Sequence, residues 1–112
     1  MTARNVLPQR RPTYTFDLHD QAGRFDMTVS YSTFDPPGAP PPHTVGEIFV
    51  TSRMIGSGIE AIARDAAILM SLALQHGCAL DTIKHALTRN ADGTPQSLMG
   101  RVVDRVVKES AE

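Results

Sequence analysis

The chain has 112 residues, a formal net charge of −1, 41% hydrophobic and 21% charged residues, and no Trp. That length gives one domain with a single aliphatic core. The balanced charge excludes a global field drawing it to nucleic acid or an anionic membrane. A single cysteine, Cys78, excludes an intrachain disulfide and a paired-Cys zinc site, and no stretch approaches the roughly 18 apolar residues of a spanning helix. With no apolar leader at the N-terminus, a reducing, cytoplasmic location is the expectation.

Residues 1–12 are polar, contain Pro8 and Pro12, and read as a flexible N-terminal arm before a single domain over 13–110. Thr13–Leu18 alternates, with Tyr14, Phe16 and Leu18 on one side. Arg24–Thr33 alternates again with Phe25, Met27, Val29 and Tyr31 inward. Together they predict an antiparallel hairpin. Five prolines in the seven positions 36–42 make a stiff connection, because proline cannot donate to a ladder. A third strand follows at Gly46–Thr51, with Ile48 and Val50 on one side and Phe49 on the other.

The stretch 58–76 predicts a long apolar helix, preceded by a capping box of Ser57 and Glu60. Ile59, Ile62, Ala63, Ala66, Leu69, Met70, Ala73 and Leu74 form a broad apolar stripe, which Ile68 and Leu72 extend. Only Glu60, Arg64, Ser71 and Gln75 form a consistent polar strip. Such a helix reads as the centre of the fold, wrapped by other elements, with Gly77 as a left-handed C-cap. Leu80–Arg89 predicts a shorter helix. Thr94 and Pro95 read as the cap and first position of a last helix, whose stripe is Leu98, Met99, Val102, Val103, Val106 and Val107. Asp104 and Lys108 have the spacing of an i,i+4 pair. The order βββααα defines an α+β fold: a small three-stranded antiparallel sheet followed by three helices. The sheet's exposed face and the valine-rich last helix are candidate oligomer surfaces.

Side chains with catalytic spacing are missing. His19, His43, His76 and His85 have no ligand spacing, and Cys78 lacks the geometry of a Cys–His nucleophile. Asp65 reads as a half-buried partner of Arg64, Arg101 or Arg105. Gly56, Ser57 and Gly58 at a helix start, with Arg53 upstream, form a candidate anion or phosphate cradle. Gln96, Ser97, Arg101 and Arg105 on the last helix are candidate DNA contacts in a helix-turn-helix reading.

Four runs, GEIFVTS from Gly46, GSGIEAIARDAAILMSLALQHG from Gly56, LDTIKHAL from Leu80 and DGTPQSLMGRVVDRV from Asp92, carry a resemblance over roughly 60 residues. They resemble the TSCPD domain, found at the C-terminal end of adenosylcobalamin-dependent ribonucleotide reductases and in small stand-alone proteins. The run that names the family corresponds here to Thr94-Pro95-Gln96-Ser97, without its cysteine. No thiol or metal role carries over, and a chain of 112 residues has no room for the reductase barrel. The resemblance implies a non-catalytic accessory or binding module, not an enzyme, with no cofactor. Its implied partners are a second copy in a homodimer, a ribonucleotide reductase or other protein, or a nucleotide; no membrane is involved. The alternative is a small DNA-associated regulator using the last two helices, although nucleic acid is disfavoured by the charge.

Overall fold

The computed structural model describes residues 3–19, 26–36, 44–52 and 58–110. Three antiparallel strands come first: β1 (Thr13–His19), β2 (Asp26–Phe34) and β3 (Thr44–Ser52), in the order β1-β2-β3. Three helices follow: α1 (Gly58–Gln75), α2 (Leu80–Ala86) and α3 (Leu98–Ser110). This is the α+β class that the alternation and the helical periods predict.

The strand register puts Phe16 opposite Val29, Leu18 opposite Met27, Tyr31 opposite Ile48 and Val29 opposite Val50. Their side chains make the inner face, joined by α1, α2 and α3 in one core. On the outer face, hydroxyls pair across the strands: Thr13 with Ser32 at 3.0 Å, Thr15 with Ser30 at 2.9 Å, and Thr28 donating to Asp17 at 3.0 Å. These pairs satisfy the hydroxyls across the strands, and Phe49 of β3, opposite Ser30, stands exposed on the same face. Val102, Val103 and Val106 of α3 are fully buried, so the valine stripe is core rather than an interface.

A β-bulge interrupts the β2–β3 ladder, with Ser32 opposite Glu47 and Thr33 opposite Val45, leaving Gly46 as the extra residue. Residues 3–12 lie against this end of the sheet. The Asn5 amide donates to the Gln75 carbonyl at 2.7 Å, the Thr33 amide to the Pro12 carbonyl at 3.1 Å, and Arg11 pairs with buried Glu47 at 2.6 Å.

The helix ends differ from the sequence expectation in two places. The α2 helix stops at Ala86 rather than Arg89, because residues 88–96 form a tight antiparallel turn. Asn90 donates to the Thr94 carbonyl at 2.8 Å and Gln96 to the Thr88 carbonyl at 3.0 Å, with Gly93 at φ 88°. Thr94 is consumed by Asp92, so α3 starts later, at Leu98, and its cap is Ser97, which accepts the Gly100 amide at 3.0 Å. The end of α1 is as predicted. Gly77 has φ 98°, its amide donates to the Leu74 carbonyl at 3.1 Å, and Cys78 donates to the Ala73 carbonyl at 3.0 Å, the Schellman pattern.

Candidate functional site: the outer half of helix α1

Helix α1 lies along β3, the strand at the sheet edge opposite β1. An edge strand presents amides and carbonyls that need partners when covered. Ser71 supplies them at Ile48: its hydroxyl accepts the Ile48 amide at 2.9 Å and donates to the Ile48 carbonyl at 3.1 Å. One helical turn later, Gln75 donates to the Gly46 carbonyl at 3.0 Å, while its side-chain oxygen accepts from Arg4 at 2.7 Å. Glu60 and Gln75 are buried, as are Ala63, Ala67, Met70 and Leu74.

This reverses the expected orientation of the helix. Ser71 and Gln75 of the polar strip, read as the solvent side, face inward because the β3 edge requires hydrogen-bonding side chains; Glu60 is buried too, while Arg64 stays exposed. Much of the apolar stripe therefore faces out, and α1 is peripheral rather than central. Ile59 is 62% exposed, Ile62 72%, Leu69 66% and Ile68 56%, with Phe49 of β3 at 53%. A helix apolar on nearly every side is normally enclosed; here half of one meets solvent.

Two apolar surfaces result, separated by exposed Asp65. The first is a seam of Ile59, Ile62, Ala66, Leu69 and Ala73, at successive spacings of three, four, three and four residues. Beside its start, α1 and the N-terminal turn of α3 enclose a hollow of about 210 Å³, lined by Ile59, Ile62, Ala63, Ser97, Leu98 and Met99. The second is a shoulder of Ile68, Leu72 and Phe49. It borders a hollow of about 260 Å³ between residues 48–51 of β3 and Arg64, Ala67 and Ile68 of α1. There the strand passes Ala67, which has no polar group to offer the edge as Ser71 and Gln75 do.

Of the candidate anion cradle, Arg53, Gly56 and Ser57 lie outside the described residues, as does the capping box through Ser57. Gly58 opens α1 with nothing within 4 Å of where a Cβ would stand. Each of the candidate DNA contacts makes a bond within the chain. Gln96 is held at the 88–96 turn and Ser97 caps α3. Arg101 reaches the His19 carbonyl at 3.4 Å, and Arg105 pairs with Glu109 at 2.9 Å and stacks 4.9 Å over the Phe16 ring. Asp65 is exposed rather than half-buried, while Arg64 turns to Glu60 at 3.6 Å.

The described histidines are held locally: His19 by Asp26 at 2.6 Å, His76 by the Leu72 carbonyl and His85 by the Asp81 carbonyl, both at 2.8 Å. The Cys78 thiol faces the Ala79 carbonyl at 3.7 Å. Among the described residues no three His, Cys, Asp or Glu side chains group to hold a metal, and no helix is long and apolar enough to cross a membrane. Arg89 forms a two-pronged pair with Asp104, at 2.6 and 3.1 Å, and also holds the Gly93 and Lys84 carbonyls. Hydrogen bonding to Arg89 lowers the Asp104 pKa and that to Asp104 raises the Arg89 pKa. Asp104 thus takes Arg89 as partner instead of Lys108, binding α3 to the turn after α2. No protein-family model matches the chain, and no curated protein or solved structure with which it was compared matches it.

Proposed function

We propose that this chain is a non-catalytic binding module that docks to a protein partner through the apolar shoulder of α1. The observation that carries the reading is the uncovered Phe49–Ile68–Leu72 surface beside the β3 edge. It combines apolar side chains with strand backbone facing a hollow, the chemistry that receives an extended protein segment. The TSCPD resemblance belongs to this proposal and directs it to the adenosylcobalamin-dependent ribonucleotide reductase as partner, in a reducing cytoplasm.

The test is a titration of the fluorescently labelled full chain with purified reductase lacking its own C-terminal domain. Saturable binding that Ile68→Asp abolishes supports the reading. Absence of binding, or binding unchanged by Ile68→Asp and Phe49→Asp, overturns it. A parallel thermal scan with nucleoside triphosphates tests the nucleotide form of docking, for which a rise in Tm proportional to log ligand concentration is the signature.

A further inference from the structure

We infer that the seam of α1 is the interface with a second copy of this chain, the two α1 helices packing antiparallel about a two-fold axis near Ala66. The seam is a different surface from the shoulder, so this goes beyond the docking role.

Three features point to a second copy. First, the spacing of Ile59, Ile62, Ala66, Leu69 and Ala73 is the alternation of three and four that keeps one stripe facing a partner helix. Second, the stripe complements itself when reversed. Ile59 and Ala73 each lie seven residues from Ala66, about 10.5 Å along the axis, so a two-fold sets large Ile59 against small Ala73 at both ends. Ile62 meets Leu69 between them, and Ala66 meets its own counterpart where the helices approach most closely. An isologous contact requires this: each surface must fit its own image.

Third, the area fits a weak, reversible pair. Ile59, Ile62 and Leu69 each offer on the order of 100 Å² of apolar surface, the scale implied by the usual transfer energy of such side chains. Ala66, Ala73 and Leu98, each half-buried, bring the seam to roughly 400 Å² per copy, about 800 Å² in total, the size of a weak, transient interface. In this arrangement the hollow between α1 and α3 receives the Ala73 end of the second copy's helix. The seam holds no charged side chain; Asp65 stands at its border.

The experiment is sedimentation equilibrium of the full chain from about 1 to 300 μM. The expected result is a monomer–dimer equilibrium that Ile62→Asp weakens by about 100-fold or more, since each copy loses a buried side chain. Ile62 is exposed in the single chain, so circular dichroism of the variant should be unchanged. The geometry is read with an Ala66→Cys, Cys78→Ser variant, which mild oxidation should link into a disulfide dimer. An Ala61→Cys, Cys78→Ser variant, with its cysteine off the seam, should remain unlinked. A chain monomeric at 300 μM overturns the inference, as does a dimer insensitive to Ile62→Asp or linked equally from both positions. A monomer that still binds the reductase through Ile68 leaves the docking role standing, and a dimer that binds no reductase leaves this one.

Discussion

Ser71 of α1 and Ile48 of β3 exchange two hydrogen bonds, the hydroxyl accepting the strand amide and donating to the strand carbonyl. One small side chain thereby closes a rung at the β3 edge of the three-stranded sheet. Removing it leaves two covered backbone groups without their partner. Ser71→Ala is expected to cost about 1–3 kcal/mol. Urea unfolding at low protein concentration measures this, and a loss of about 0.5 kcal/mol or less, the level of an ordinary surface change, would contradict the edge-closing role.

Gly46 is required by close approach rather than by its dihedrals. A Cβ there would stand 2.7 Å from two ring carbons of Phe34 and 2.8 Å from Leu7 Cδ2. Gly46→Ala should therefore destabilise by about 1–3 kcal/mol through overpacking. The double variant Gly46→Ala, Leu7→Ala should recover part of the loss, since it removes one of the clashing groups. A fully additive pair would place Leu7 outside the contact.

The strands and helices were legible in the sequence because alternation and the helical period report burial directly. Tyr31, Ile48 and Val50 face the core as their spacing implies, and Gly77 caps α1. The orientation of α1 was not legible. Periodicity identifies a polar strip but not its neighbour, and Glu60, Ser71 and Gln75 resemble a solvated strip until an unpaired strand lies beside them. The available signal was Ser71 with Gln75, two short-range hydrogen-bonding side chains four residues apart in an otherwise aliphatic helix. Asp104 misled for a similar reason: local spacing favours Lys108, whereas Arg89 arrives from the turn after α2 with a two-pronged fork. The candidate site followed from these tertiary facts, since the surface that α1 exposes depends on the strip that it buries.

The Arg89–Asp104 pair makes stability depend on acid. With the Asp104 pKa lowered in the folded state, its contribution is complete above the ordinary carboxylate pKa and is lost as pH falls through the lowered value. Arg89, with its pKa raised, stays charged throughout, so there is no corresponding alkaline loss below its ordinary range. The pair is partly exposed and screened by solvent, which keeps its worth small. Asp104→Asn should be less stable than the parent at pH 7, with the gap shrinking from roughly pH 4 downward and closing as pH falls through the lowered Asp104 value. Unfolding midpoints that keep a constant gap from pH 7 to pH 2 would contradict the assignment.

Ile62 and Val102 occupy equivalent places in two apolar helical stripes, yet one is exposed and the other fully buried. Their substitutions should separate accordingly. Val102→Ala removes two methyl groups from the core beneath α3 and should cost about 2 kcal/mol at any protein concentration. Ile62→Ser, in contrast, should leave the dilute chain within about 0.5 kcal/mol of the parent. The difference between the two helices appears on concentrating the protein. Association stabilises the folded state by mass action, so the parent's Tm should rise with concentration while that of Ile62→Ser stays level. Differential scanning calorimetry over a hundredfold concentration range distinguishes the cases. A Val102→Ala chain that keeps the concentration dependence at lower Tm would complete the contrast between a residue that holds the fold and one that holds a neighbour.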